Sequence, residues 1–289
     1  MKTNNHKKKK NENFYTLIFV AMFFVGVCLL IYPTLSDFWN EKRQSEAIFN
    51  YDNLIVDLTP EDYSEMFFKA DDYNQKLRRM QFPFLSHTKI SDEYYNILDV
   101  NEDGMMGYIT IDKIKVQLPI YHGTSDKVLN SAVGHVEGSS LPVGGKSTHS
   151  VLSAHRGLPS AKLFTHLDQL EIGDMFTLRI LDRTLTYQID QTIIVSPEKT
   201  DDLNIVYGKD YCTLLTCTPY AINTHRMLVR GIRIDNLSAE NPISIMPDAY
   251  LINSLIVASF IAAFILGALF IVILFRSDKK GRKQNTKRM

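Results

Sequence analysis

Two long runs of this chain carry no charge, and they lie near its two ends: Phe14 to Tyr32 and Leu251 to Phe275. As a helix the first would be about 28 Å long, enough to cross the hydrocarbon core of a bilayer, and the second is longer still. A buried core helix is the alternative for each, but uncharged runs of about 18 or more residues read as membrane spans. Basic residues crowd the outer flanks. Lys2 and Lys7 to Lys10 precede the first run; Arg276, Lys279, Lys280, Arg282, Lys283, Lys287 and Arg288 follow the second. Basic residues beside a span stay cytoplasmic, so both termini are expected inside and residues 33–250 outside. A cleaved signal peptide would need a shorter apolar core and a small-x-small site. Tyr32-Pro33-Thr34-Leu35-Ser36 offers no such site, which favours an uncleaved anchor.

Charge supports this division. The chain holds 32 basic and 32 acidic residues, but the two tails take many of the basic ones. What remains between them is 20 basic against 30 acidic residues. So acidic a segment is a poor match for nucleic acid, which rewards Lys and Arg against phosphate. Of the three cysteines, Cys28 falls inside the first span and reads as a small apolar filler. Cys212 and Cys217 fall outside, five residues apart. In one strand an odd separation points them to opposite faces, so no disulfide is expected between them, and an extracellular free thiol calls for a role.

Residues 36 to about 100 read as mostly helical. Thr59-Pro60-Glu61-Asp62 supplies a capping hydroxyl, a proline in the first turn and acids against the helix dipole. Tyr63, Met66, Phe67, Ala70 and Leu77 then recur at helical spacing, a stripe that must rest on something. Pro83, in Phe82-Pro83-Phe84, ends that pattern. From Met106 the period changes to two. Strands are expected at Tyr108–Ile111, Lys115–Ile120, Ser150–Ala154, Met175–Leu181, Leu185–Ile189, Thr192–Val195, Cys212–Cys217 and Met227–Ile234, with Asp182-Arg183 as a hairpin turn. One or two helical turns are expected in Lys162–Leu170. About eight short strands with little helix between them predict a closed barrel or a sandwich.

Asp99-x-Asn101-x-Asp103-Gly104 matches the first half of a calcium loop, but position twelve is Thr110 and a strand follows; a polar turn is the expectation. More informative is Thr213-Leu214-Leu215-Thr216-Cys217-Thr218-Pro219-Tyr220. An apolar strand ends on Cys217, and Pro219 breaks it, so the thiol faces a loop; a buried core cysteine is the alternative. Arg226 would open the next antiparallel strand opposite Cys217. A guanidinium there can stabilise negative charge beside the sulfur and hydrogen-bond a carbonyl oxygen as charge develops; a surface ion pair is the alternative. His155 also ends an apolar strand, before Arg156-Gly157-Leu158-Pro159. A thiol is only partly ionised at neutral pH, and a histidine serving as base and then acid is its usual partner. His149 and His225 are the rivals, His225 the weaker because it must point away from the face of Arg226.

These residues carry a resemblance. Thr213 to Gly231 resembles the catalytic region of sortases, with its Thr-Leu-x-Thr-Cys motif and an arginine on the following strand. Cys217-Thr218-Pro219-Tyr220, Asn223-Thr224-His225-Arg226 and Val229-Arg230-Gly231 are similar to class C, the pilus-building members. So are Met106-Gly107-Tyr108-Ile109, Leu118-Pro119-Ile120-Tyr121-His122-Gly123-Thr124, Ser139-Ser140-Leu141-Pro142 and Ala154-His155-Arg156-Gly157. The match covers about residues 100–235. It implies a mainly β fold, an eight-stranded barrel, with the family's Cys, His and Arg falling on Cys217, His155 and Arg226. It implies cleavage of a Leu-Pro-x-Thr-Gly-like signal between Thr and Gly, a thioester, and transfer to an amine, with no metal or organic cofactor. Many class C members carry a lid with an Asp-Pro-aromatic motif. The corresponding possible lid here, Phe82, Pro83 and Phe84, has the aromatic but lacks the carboxylate.

The expected organisation is a basic cytoplasmic tail (1–13), a span (14–32), a helical lid or spacer segment (33–100), a catalytic barrel (101–238), a linker (239–250), a second span (251–275) and a second basic tail (276–289). The expected function is polymerisation of pilins or other surface proteins at the cell membrane, with a pilin lysine amine as acceptor. Alternatives are anchoring to an amine of a peptidoglycan precursor, a catalytically silent membrane scaffold for pilus assembly, and a secreted cysteine protease.

Overall fold

The computed structural model describes residues 3–80, 93–220 and 222–236, together with residues 262, 263, 266 and 267, and describes side chains from residue 18. Phe82-Pro83-Phe84, the linker 239–250, the second basic tail and all but four residues of the expected second span lie outside the described residues. The chain divides into two compact units, Met1–Phe38 with Asp248–Met289, and Trp39–Pro247.

In the first unit, helix α1 (Thr3–Val56) begins and continues through Pro33. Phe19, Met22, Val25, Leu29 and Leu30 are all exposed on it. Among the described residues this is the one helix long and apolar enough to cross a membrane, and none of its apolar stretch is buried. Uncovered large apolar side chains in such number suit lipid rather than water.

The second unit is a closed barrel of eight strands: β1 (Met105–Ile111), β2 (Val116–His122), β3 (Val133–His135), β4 (Thr148–Ser153), β5 (Met175–Ile180), β6 (Arg183–Val195), β7 (Asp210–Thr218) and β8 (His225–Ile234). Around the barrel the order is β1-β2-β3-β4-β7-β8-β6-β5. The β2–β3 and β4–β7 pairs are parallel and the rest antiparallel. Eight strands are expected and eight form, but not the same eight. Strand β3 is only three residues long and includes Gly134, too short to show a period of two. The expected Leu185–Ile189 and Thr192–Val195 are one strand, β6, whose register against β8 shifts between Ile189 and Gln191. A bulge there breaks the alternation that a period count relies on. The hairpin turn before β6 falls on Leu181-Asp182, since Ile180 pairs with Arg183.

Helix α2 (Pro60–Arg78) starts as expected, with a reciprocal capping box between Thr59 and Asp62. Its stripe rests on the barrel. Phe67 and Ala70 of α2, and Ile48, Tyr51 and Ile55 of α1, share one core with Ile109, Ile120, Leu152, Leu178, Leu214 and Val229. Each such large side chain contributes about 1.5–3 kcal/mol by leaving water. Polar clamps fix the register. The Tyr51 hydroxyl donates to Met106 O and accepts from Leu181 N–H, both at 2.9 Å. Buried Asn74 donates to Leu141 O and accepts from Leu141 N–H at 3.2 and 2.7 Å. Arg183 lies 3.5 Å over the Phe67 ring. The helical segment from Trp39 to Arg78 is therefore built into the barrel's core rather than hung from it as a spacer. In the Asp99–Gly104 turn, Asp99 accepts from Gly104 N–H and Asp103 from Met105 N–H, so both carboxylates close the turn ahead of β1.

Candidate active site

Strand β7 lies between β4 and β8, and its side chains alternate between two apolar clusters. Cys212 and Leu214 enter the main core, while Leu215 packs with Val151, Val195 and Leu228 in a second, smaller cluster. By the two-residue period Cys217 shares the Leu215 side, and at the strand's end it emerges half-buried. Across the antiparallel ladder it is paired directly with Arg226, which alternates with Leu228 onto the same side. On the other flank the parallel register runs from Thr148 opposite Asp210 to Ser153 opposite Leu215. Ala154 N–H still donates to Leu215 O, and the same register continued past the end of β4 would bring His155 level with Cys217. Cys217 on β7 and Arg226 on β8 thus face each other at one end of their strands, with His155 two residues past the end of β4, and each of the three is half-buried.

The surroundings brace this geometry. Thr216, fully buried, donates from its hydroxyl to Ala154 O at 2.8 Å. That bond ties the residue before the thiol to the residue before the histidine. His155 O accepts from Phe164 N–H, closing the loop that follows it. Gly157 N–H donates to Thr165 Oγ1, and Arg156 pairs with Asp168 at 2.6 Å. The same loop is held from α1, where Asn40 donates to Ser160 O and Glu41 pairs with Lys162. Arg226 donates from Nη1 to Asn223 O and His225 O, both at 3.1 Å, and no carboxylate pairs with it among the described residues. These carbonyls aim the guanidinium and, among the described residues, leave its charge uncompensated.

Sequence reasoning named the rim but not its braces. Thr216 belongs to the Thr-Leu-x-Thr-Cys motif, yet nothing in its spacing says that it reaches another strand. Asp168, Asn40 and Glu41 are distant in sequence and carry no local signal. The rival histidines separate cleanly. His149 is buried between Asn204 O, at 2.9 Å, and Thr213 Oγ1, at 2.7 Å, and burial pushes its pKa down to about 4. His225 is exposed, sits opposite Thr218 and bonds Thr224 Oγ1. Cys212 is sealed in the core, where burial pushes its thiol well above the usual range. No group of three or more metal-binding side chains occurs among the described residues.

A thiol paired across the ladder with a guanidinium, with an imidazole just past the end of the neighbouring strand, supplies groups that can carry acyl transfer through a cysteine. Comparison with known proteins agrees. The sortase domain family model matches residues 109–234. The crystal structure of sortase C1 from Streptococcus agalactiae superposes with a TM-score of 0.62 at 48% identity, covering 66% of this chain and 99% of that one. Sortase C of Streptococcus pneumoniae gives 0.60 at 43% identity, covering 66% and 97%. Sortase D of Bacillus subtilis is 33% identical over 115 residues, 40% of this chain and 55% of that protein. The chain belongs to the sortase family of cysteine transpeptidases, and its likeness to the solved structures is to class C members.

Proposed function

We propose that this protein polymerises pilin subunits, with Cys217 as nucleophile, His155 as acid and base, and Arg226 as the oxyanion and substrate contact. The observation that carries the reading is the pairing of Cys217 with Arg226 across β7 and β8, with His155 two residues past the end of the adjacent β4. The sulfur attacks the Thr carbonyl of a Leu-Pro-x-Thr-Gly-like signal; a carbon–sulfur bond forms, the Thr–Gly bond breaks, and His155 protonates the departing Gly amine. Arg226 donates to the carbonyl oxygen as it gains charge. A lysine amine of the next pilin then attacks the thioester, His155 takes a proton from it, and the sulfur leaves. Leu215, Val195 and Ile193 form an apolar floor beside the thiol, suited to the Leu-Pro part of the signal.

The choice of pilin follows the relatives. The similar sortase C of Streptococcus pneumoniae has pilin substrate specificity, and a similar Group B Streptococcus structure is a pilus-related sortase C. The exposed apolar stretch of α1 supports a membrane-held enzyme. With the basic flanks at both ends, the proposed topology is two spans, both termini cytoplasmic and the barrel outside. A protease added to intact protoplasts should then reach the middle of the chain and neither terminus. The product decides the function. Polymerisation yields a ladder of covalent multimers, with a Thr–lysine isopeptide found by mass spectrometry. A single wall-linked species would instead establish anchoring to a peptidoglycan precursor amine.

A further inference from the structure

The loop after β7 holds a side chain that the mechanism above does not use. Tyr220 is three residues beyond the thiol and is 56% exposed. One edge of its ring rests on Gly157, two residues beyond His155. A Cβ at Gly157 would stand 2.6 Å from Tyr220 Cε2, 2.9 Å from Cζ and 3.0 Å from Cδ2. Gly157 also has φ +78°, a conformation that side chains resist. Only glycine lets the ring settle there. The ring therefore spans the opening between the loop that follows the thiol and the loop that follows the imidazole, and the rest of it faces solvent.

Direction of approach gives this position its meaning. Arg226 borders Cys217 from the β8 side and would hold the donor's carbonyl oxygen. An incoming amine must then reach the thioester from the β4 side, where His155 can take its proton, and Tyr220 borders that side. We infer that Tyr220 is a specificity-determining contact for the acceptor: its ring receives the aliphatic stem and ammonium of a lysine side chain before attack. The inference rests on the lysine-acceptor reading proposed above. An ammonium over an aromatic face is attracted by the ring quadrupole, and four methylenes cover apolar ring surface. In the step itself the ammonium gives one proton to His155 and one to solvent. Its nitrogen bonds the acyl carbon, the carbon–sulfur bond breaks, and Cys217 keeps the electron pair.

The test separates the donor step from the acceptor step in the full-length protein. Hydroxylamine at saturating concentration intercepts the thioester, so release of the Gly fragment from a sorting peptide reports the donor step. Transfer to a lysine peptide and to a Gly-terminated peptide reports the acceptor. Tyr220→Phe keeps the ring and should keep the lysine KM within about twofold. Tyr220→Leu should raise the lysine KM about three- to thirtyfold beyond any change in the donor step, the span a cation–π contact supplies, with less effect on the Gly acceptor. Gly157→Ala, which displaces the ring, should shift the same ratio. Tyr207→Leu alters an equally aromatic surface residue at the far end of β7 and should change neither step. Equal loss of both steps in Tyr220→Leu would make Tyr220 a positioning residue and overturn the inference, as would an unchanged lysine KM. A wild-type protein that releases the Gly fragment yet ignores the lysine peptide would overturn the lysine reading itself, and this inference with it.

Discussion

Strands β7 and β8 and the chain along and just past β4 carry two sets of histidine, hydroxyl or thiol, and arginine, and among the described residues only one set lacks side-chain partners. At the rim stand His155, Cys217 and Arg226. Further down the same outer side stand His149, Thr213 and Arg230, with Thr213 paired to Arg230 across β7 and β8 just as Cys217 is paired to Arg226. In the lower set every group is satisfied. His149 bonds Thr213 and Asn204 O, while Arg230 makes two 2.9 Å bonds to Asp190 and lies 4.3 Å over the Tyr211 ring. The β6 bulge is what turns Asp190 toward it. In the upper set, among the described residues, the imidazole of His155 makes no hydrogen bond and Arg226 bonds only backbone carbonyls. A polar group with its partners in place stabilises the fold, whereas one held rigidly without them is available to a substrate. Residue type and spacing do not distinguish the two sets; unfilled bonding capacity does.

The largest effect should come from the two cysteines. Cys217→Ala should abolish cleavage of a sorting peptide, by at least about a thousandfold, whereas Cys212→Ala should leave most of the activity. Iodoacetamide should modify Cys217 in the folded protein and reach Cys212 only on unfolding. A folded but inactive Cys212→Ala would break the comparison at its centre.

The arginines should split the same way. Arg226→Lys should lower kcat for the peptide by about a hundredfold, because a lysine cannot reproduce the fork of donors at the oxyanion, with little change in Tm. Arg230→Met should do the reverse. It leaves the carboxylate of Asp190 unpaired in a three-quarters buried position, costing about 1–3 kcal/mol, several degrees of Tm, with activity retained in the folded fraction.

Thr216→Val keeps the shape of a buried side chain and removes its bond to Ala154 O. It should slow the peptide reaction about tenfold through looser placement of His155 against Cys217, measured as kcat at saturating peptide. A loss of Tm without a loss of kcat would make Thr216 a packing residue only.

The remaining expected effect, on stability rather than on activity, is a pH dependence set by the sealed histidines. Burial pushes His149 and His135 from 6.5 down to about 4. Between those values the unfolded chain binds protons that the folded chain refuses, so stability falls as pH drops from about 6.5 towards 4 and changes little from these groups above 7. Thermal melts at pH 7, 5.5 and 4.5 should show the fall, and His149→Gln should flatten it while lowering Tm at pH 7. A wild-type Tm that stays constant across this range would refute the assignment.

The amino-acid sequence by itself determined the apolar span near the N-terminus, the mainly β fold and the capped start of α2, and it nominated Cys217, His155 and Arg226 as candidates. These are local signals: uncharged length, a period of two, a capping box, and polar residues placed where apolar strands stop. Tertiary structure alone decided the pairings between strands distant in sequence, such as β4 with β7 and β6 with β8. Strand β3 and the union of β6 across Asp190 depend on pairing energies between distant segments, which a period count does not register. The burial of α1 and α2 in the barrel core was legible only as a stripe needing a partner. His149 lies on β4 and His155 two residues past its end, and what seals His149 is what the rest of the chain brings to it. Thr213 reaches His149 because β7 pairs with β4, and Asn204 O reaches it from the β6–β7 loop, whereas no described residue bonds the imidazole of His155. Hydrogen-bond satisfaction is a property of three-dimensional neighbours, and no spacing along a strand encodes it.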